Sequence, residues 1–198
     1  MKKPSLHAAP RDEYEMETKI FHAARKDALS RFDYEKNLFG SRIVLFGQGR
    51  CFVLPFRNSS RSKEQRVIAN VCTLIKAKRI NAYGAVVDLD IFLKASEEEL
   101  KVYPSGVVPK KMICSFFTGL NGYKDINLLE PDHSVKKMRI ISDIPHPDEL
   151  AKLYYCDLFS LADKSMAIKN AGLTISEWDK EGDKILREVF TGFYETVF

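Results

Sequence analysis

Two pairs of short apolar segments, each pair joined by a glycine-containing turn, restrict what this chain can fold into. The segments are Arg42–Phe46 with Arg50–Phe56 and Met112–Leu120 with Tyr123–Leu129, and the turns are Gly47-Gln48-Gly49 and Asn121-Gly122. Glycine reaches the positive φ values that tight hairpin turns require, and Asn-Gly between apolar segments is a strong hairpin signal. The sequence therefore predicts two β-hairpins, which places antiparallel sheet at the centre of the fold.

A third apolar segment, Tyr83–Leu93, has the pattern of a long β-strand. Its odd-numbered positions are apolar or aromatic throughout, whereas its even-numbered positions include Asp88 and Asp90. Because successive side chains of a strand point to opposite faces, this pattern predicts one buried face and one mixed face. Lys136–Ser142 predicts a further short strand. With the hairpins, these segments predict a mostly antiparallel sheet of about five to six strands.

Four segments have helical patterns. Residues 12–37 contain no glycine or proline, and Asp148–Leu161 repeats apolar residues at helical spacing. Ser62–Gln65 and Thr174–Glu177 each carry the pattern of a helix capping box, and the second predicts a final helix that continues to Val197. The chain is therefore predicted to belong to the α+β class, with an N-terminal helix, a crossover helix and two C-terminal helices around the sheet.

The order of these segments predicts one main domain with two appendages. Residues 1–11 contain two prolines and no periodicity, so we expect an N-terminal arm. Residues 12–145 are expected to form the α+β core domain. Residues 146–198 are expected to form a helical segment packed on that core.

Hydropathy and cysteine spacing exclude several classes of protein. No segment approaches the roughly 20 apolar residues that span a bilayer, and Met1–Arg11 lacks the apolar stretch of a secretory signal. We therefore expect no membrane association and a cytoplasmic location. The four cysteines, at positions 51, 72, 114 and 156, lack the close pairing of a zinc site. We expect buried free thiols, no metal and no cofactor.

Asp88 and Asp90 are the weak candidates for catalysis in this sequence. Two positions apart on a strand, they share a face, and paired carboxylates hold Mg²⁺ or Mn²⁺ in phosphoryl chemistry. The solvated face of a half-buried strand explains the same pattern without any chemistry. The histidines, at positions 7, 22, 133 and 146, show no spacing typical of a metal or nucleophile site. The sequence therefore assigns no catalytic residue.

Charge is distributed unevenly along the chain. Residues 40–79 carry nine basic side chains against one acidic side chain, whereas residues 143–198 carry six basic and eleven acidic. A basic patch of this kind attracts phosphates through counterion release. It would also bind an acidic protein surface, including the acidic end of this same chain, and simple solvation is the third interpretation. The candidate binding residues are Arg50, Arg57, Arg61, Lys63, Arg66 and Arg79.

Aromatic residues are concentrated near the C-terminus. At helical spacing such residues form core more often than interface, but a chain terminus is normally exposed. A docking tail or a contact in a homo-oligomer is therefore one interpretation of this segment. The candidate interface residues are Trp178, Phe190, Phe193, Tyr194 and Phe198.

The absence of any catalytic motif favours a non-enzymatic protein that binds a macromolecule through charged surfaces, as a regulator, inhibitor or adaptor. We expect a protein partner first. The alternative is a nucleic-acid-binding protein, or a metal-dependent enzyme acting on nucleic acid, that combines the basic 42–79 stretch with Asp88 and Asp90. The size and lack of motifs would also suit a protein of a phage or mobile element.

Overall fold

The computed structural model describes residues 14–36, 39–56, 61–121, 124–141, 157–169 and 173–198, and for residues 61, 89–94, 109–110, 124 and 165–169 it describes the backbone alone. Within these ranges the chain forms four helices and a seven-stranded antiparallel sheet, which confirms the α+β class. The helices are α1 (Glu15–Ser30), α2 (Arg61–Ala77), α3 (Leu158–Lys169) and α4 (Ile175–Glu188). The strands are β1 (Ser41–Gly47), β2 (Arg50–Phe56), β3 (Ala82–Lys94), β4 (Val107–Gly119), β5 (Lys124–Asp132), β6 (Lys137–Ile141) and β7 (Tyr194–Val197).

The strands follow the order β6-β5-β4-β3-β1-β2-β7 across the sheet. Both predicted hairpins are present, as the pairs β1–β2 and β4–β5. The first turns at Gln48 and Gly49, whose φ angles of 55° and 70° match the tight turn that fits the twist of a hairpin. Because β2 and β3 are both antiparallel to β1, they run parallel to each other, and α2 makes the crossover between them.

The sheet buries apolar side chains on both faces. On one face, α2 packs against α3 and α4, and these helices enclose a core with Tyr83, Phe116 and Phe190. On the other face, α1 places Phe21 against Phe117 in a second core that also contains Phe46. Burial on both faces explains why β3 is apolar at nearly every position from Ala82 to Val87.

The N-terminal helix is shorter than predicted, since α1 ends at Ser30 although helical composition continues to residue 37. The Asp33 carboxylate accepts hydrogen bonds from the backbone N–H groups of Glu35 and Lys36, both at 3.0 Å. A side chain that binds backbone donors in this way competes with helix formation. Phe32 turns into the core at the same point, where its ring contacts the ring of Tyr34.

Two boundaries of internal helices also differ from the predictions. Helix α2 begins at Arg61, so Ser62 is already helical and cannot be the N-cap, which requires a non-helical backbone. Helix α3 continues past Leu161, its predicted end, to Lys169. Leu158 and Ala162 anchor α3 because both are fully buried against the sheet. The earlier part of the predicted helix, residues 148–156, lies outside the described residues.

The largest difference between the predicted and the observed structure is at the C-terminus. The predicted capping box at Thr174 is present, but α4 ends at Glu188 instead of continuing to Val197. Gly192 has a φ of 83°, which turns the chain out of helical geometry, and β7 then pairs with β2. The sheet therefore has one strand more than predicted. The segment 146–198 contributes a strand as well as helices to the fold.

Candidate functional site

A cleft of about 1040 Å³ lies at the end of the sheet where β1 begins and β2 ends. Its walls come from the end of α1, the start of α2 and the segment Val189–Thr191 after α4. Phe39 and Phe56 are buried beside it and close its floor towards the core. With Asp88 of β3 and Lys111 of β4, seven parts of the chain thus meet at one concave surface.

The cleft is strongly basic. Six described cationic side chains line it, against two described acids, Asp33 and Asp88. The cations come from the segment just after α1, from β1, from α2 and from β4. We call this surface the basic cleft and define it by Arg31, Lys36, Arg42, Lys63, Arg66 and Lys111.

Asp27 orients two of these arginines. Its carboxylate accepts a hydrogen bond from Nη1 of Arg42, and Nη2 of Arg31 lies 3.0 Å from Oδ1. The hydrogen bond from Arg42, together with the charge of both arginines, holds the pKa of the Asp27 carboxyl below its ordinary value. A guanidinium has five N–H donors, so each arginine keeps donors for a ligand beyond those it gives to Asp27.

Asp88 lies in the basic cleft as part of a polar cluster. The Ser41 hydroxyl, which is fully buried, donates to Oδ1 of Asp88 over 2.8 Å. Nζ of Lys111 lies 3.4 Å from Oδ2 of the same carboxylate. Both oxygens of Asp88 therefore have partners within the protein, and the carboxylate serves to position Ser41 and Lys111.

Lys63 and Arg66 line the cleft from the first two turns of α2. Three positions apart on a helix, they share one face, and both are exposed. Among the described residues, Arg66 has no acidic partner. Both side chains therefore face solvent from the α2 wall of the basic cleft.

The structure does not bring all of the predicted binding residues together. Lys63 and Arg66 line the cleft, whereas Arg50 lies at the hairpin turn, about 20 Å away along β2. Arg79 follows the far end of α2, where its carbonyl packs against Gly47 of the same turn. Arg57 and the side chain of Arg61 lie outside the described residues.

Several cations of the basic stretch instead pair with the acidic end of the chain. Lys76 of α2 forms an ion pair with Asp163 of α3. Nζ of Lys78 lies 2.6 Å from Oδ1 of Asp183 in α4, and this lysine is the most buried of the set, with 15% of its side chain exposed. At the edge of the sheet, Nη1 of Arg50 in β2 lies 3.1 Å from Oε1 of Glu195 in β7. The charge asymmetry of the sequence is thus partly neutralised within the fold.

The candidate metal site has no support in its surroundings. The side chain of Asp90 lies outside the described residues, and the two carboxylate oxygens of Asp88 contact Ser41 and Lys111. Among the residues described, no group of three or more His, Cys, Asp or Glu side chains is placed to hold a metal ion. His22 is half-buried in α1, and Nδ1 of His133 lies 3.0 Å from the backbone oxygen of Tyr34. His7 and His146 lie outside the described part of the chain.

The C-terminal aromatic residues occupy different environments. Phe190 is fully buried in the core, and Phe193 packs partly against it. Trp178 is half-buried on α4. Tyr194 and Phe198 are 49% and 42% exposed, respectively, on or beside the edge strand β7. Only these last two offer an aromatic surface of any size to a ligand.

Sequence reasoning did not select four of the residues that line the basic cleft as binding residues: Arg31, Lys36, Arg42 and Lys111. Arg42 was visible as part of the basic stretch, and Arg31 as a cation near the end of α1. Lys111 gave no signal, because its approach to Asp88 depends on strand register. Lys111 pairs with Asp90 in the β3–β4 ladder, which makes it a diagonal neighbour of Asp88.

Two further observations concern the class of protein to which the chain could belong. Within the described residues, no helix has the length and apolar character needed to cross a membrane. Set against known protein families, curated proteins and solved structures, the chain matches none of them.

Proposed function

We propose that this protein is a non-enzymatic binding protein that holds the phosphate backbone of a nucleic acid in the basic cleft. The observation that carries the proposal is the convergence of six cationic side chains, from the segment after α1 and from β1, α2 and β4, on one concave surface. Each phosphate that such a surface neutralises releases counterions, which is the main source of affinity in nucleic-acid binding.

The cleft supports binding more than catalysis. Its described lining contains no His or Cys, and the carboxylate of Asp88 is engaged by Ser41 and Lys111. The internal ion pairs do not separate this function from the alternative of an acidic protein partner. Arg31, Arg42 and Lys111 of the basic cleft pair with acids of this chain, as several basic side chains outside the cleft do.

The proposal is tested by fluorescence anisotropy with labelled single-stranded and duplex oligonucleotides over a range of salt concentrations. Affinity should fall steeply as salt rises. Lys63→Glu with Arg66→Glu should weaken binding about tenfold or more and should lower the slope of log K against log salt by about two, because two phosphate contacts are lost.

A matched control comes from α4, where Lys180 and Lys184 are exposed and do not line the cleft. Lys180→Glu with Lys184→Glu changes the net charge by the same amount and should leave affinity nearly unchanged. An equal loss in both double variants would show that only net charge matters, which contradicts a specific cleft. Polyglutamate binding as tightly as the oligonucleotide at equal ionic strength would instead favour an acidic protein partner.

A further inference from the structure

A second cavity, of about 520 Å³, lies next to the basic cleft. The two share Arg31, Arg42 and Pro55 in their linings, so they adjoin, and we call them together the groove. The groove runs from Lys111 and Asp88 past the two arginines to Gly192 and Tyr194 at the edge of the sheet.

Tyr194 is the aromatic side chain in this second cavity. It pairs with Val53 across the β2–β7 ladder, and residues directly opposite in a ladder share a face. Val53 belongs to the core beneath α1, so Tyr194 lies on the same face of the sheet as α1. Helix α1 packs mainly against β1, β3 and β4, and Tyr194 remains 49% exposed beside it.

The backbone of Tyr194 is held in place from both sides. Gly192 turns the chain out of α4, and Phe190 anchors that turn in the core. Pairing with β2 continues from Tyr194 to Val197, and the N–H of Phe198 donates to the carbonyl of Gly49 over 3.0 Å. An exposed aromatic ring on a regular strand needs little ordering when a ligand binds.

We propose that Tyr194 is a stacking platform for a nucleotide base, that Arg31 and Arg42 hold the adjacent backbone phosphates, and that the ligand of the groove is therefore single-stranded nucleic acid. This inference rests on the proposed function of the basic cleft. The bases of a duplex are already paired and stacked, so only a single strand can turn a base onto the ring of Tyr194. The described charged side chains that line the second cavity are Arg31, Arg42 and Asp27, so its net charge is positive. A positive groove with an exposed aromatic face is typical of proteins that bind single strands.

The test uses the full chain and three fluorescein-labelled probes: an oligodeoxythymidine of about 10 nucleotides, which is within the usual site size, an abasic backbone of the same length, and a duplex of the same length. Tyr194→Leu should weaken binding of the oligodeoxythymidine about tenfold, since a stacked base contributes strongly. Tyr194→Phe keeps the ring and should bind like the wild type. The abasic backbone should bind more weakly than the oligodeoxythymidine and should not respond to Tyr194→Leu.

Phe198→Leu is the matched control, because Phe198 is a similarly exposed aromatic residue beside the same strand but does not line the groove. It should leave affinity unchanged, and thermal unfolding of each variant verifies that β7 stays in place. The inference is overturned if Tyr194→Leu has no effect, or if the abasic backbone or the duplex binds as tightly as the single strand. In those cases the role of Tyr194 is rejected. The proposed function of the basic cleft is retained if Lys63→Glu with Arg66→Glu still abolishes binding. If no oligonucleotide binds, the proposed function itself fails.

Discussion

The ring of Phe21 in α1 lies directly on Gly84 in β3, so that a Cβ added to Gly84 would be 2.4 Å from two carbons of the ring. Phe21 is 1% exposed, and its ring centroid lies 5.7 Å from that of Phe117. This contact sets how closely α1 approaches the sheet. It therefore also sets where Arg31, which directly follows α1, meets the basic cleft.

Gly84→Ala should destabilise the fold, because the new methyl group would overlap the ring of Phe21 and force the helix away from the sheet. We expect a loss of about 1–3 kcal/mol in the free energy of unfolding, which is typical of overpacking in a core. Urea denaturation measures it. Gly40→Ala is the control, since a Cβ at Gly40 meets no atom within 4 Å. Equal stability of the two variants would contradict the close approach of α1.

Thr174→Ala should destabilise α4 by about 1 kcal/mol, since it removes a helix cap. The Thr174 hydroxyl accepts from the N–H of Glu177 over 3.3 Å, and the Glu177 carboxylate accepts from the N–H of Thr174 over 2.7 Å. Ser176→Ala in the same turn is the control, because Ser176 makes no side-chain hydrogen bond with a described residue. Equal midpoints of thermal unfolding in the two variants would show that Thr174 does not stabilise α4 as a cap.

Lys78 and Asp183 should be energetically coupled across the contact between α2 and α4. Nζ of Lys78 lies 2.6 Å from Oδ1 of Asp183, and the lysine side chain is only 15% exposed. A double-mutant cycle with Lys78→Met and Asp183→Asn should give a coupling of about 0.5–1 kcal/mol at low salt, at the upper end for pairs that are partly exposed. The coupling should shrink at high salt because solvent-facing charges are screened.

The pair Lys19–Glu15 on α1 is the control for this cycle, since both side chains are more than half exposed. Its coupling should be smaller than that of Lys78 with Asp183. Strictly additive effects at Lys78 and Asp183 would mean that the acidic helix α4 does not neutralise the basic stretch electrostatically.

His22 should make the fold less stable in mildly acidic solution. Burial lowers the pKa of its imidazole from 6.5, and the nearby charge of Arg25 adds to this effect, while Asp125 opposes it. Below about pH 6.5 the unfolded chain therefore binds a proton that the folded chain resists, and stability falls as pH falls. His22→Gln should flatten the dependence of unfolding free energy on pH below about 6.5.

The control is the wild-type chain measured over the same pH range, against which the slope of the variant is compared. The carboxyl groups of Asp27, Asp132 and Glu177 have lowered pKa values, so the stability they contribute is lost only at more acidic pH. A wild-type slope in the His22 variant would contradict a neutral, buried imidazole.

The described cysteines should be unreactive in the folded protein. Burial raises the pKa of Cys51 to about 12 and that of Cys72 to about 11, and Cys114 is fully buried. The thiolate is the reactive species, so little of it is present near neutral pH. In a Cys156→Ser background, a disulfide reagent should label no thiol in native protein and three in denaturant. Rapid native labelling would show that one of these cysteines is accessible.

Local patterns in the sequence determined the parts of this fold that depend on near neighbours. Alternation of apolar residues marked β3, glycine marked the β1–β2 turn, and the reciprocal bonds of Thr174 and Glu177 need only three residues of chain. The same reasoning extended the last helix too far. Its aromatic residues fit helical spacing, and only pairing with β2 decided that Tyr194–Val197 is a strand.

The basic cleft could be foreseen only in part. Lys63 and Arg66 are three residues apart on one helix, so their common face follows from the sequence alone. Whether Arg50 joins them or pairs with Glu195 depends on which strand lies beside β2, and β2 and β7 are 145 residues apart along the chain at that pair. Charge composition identified a basic stretch but not which of its members pair within the fold.

The sequence by itself determined the class of the fold, the two hairpins and the basic character of the stretch from Arg42 to Arg79, because each follows from local periodicity, turn chemistry or composition. Only the tertiary structure decided that Arg31, Arg42 and Lys111 meet in one cleft and that Tyr194 lies exposed in the cavity beside it. These relationships depend on strand order and register, which arise from contacts between distant segments rather than from the pattern of any one of them.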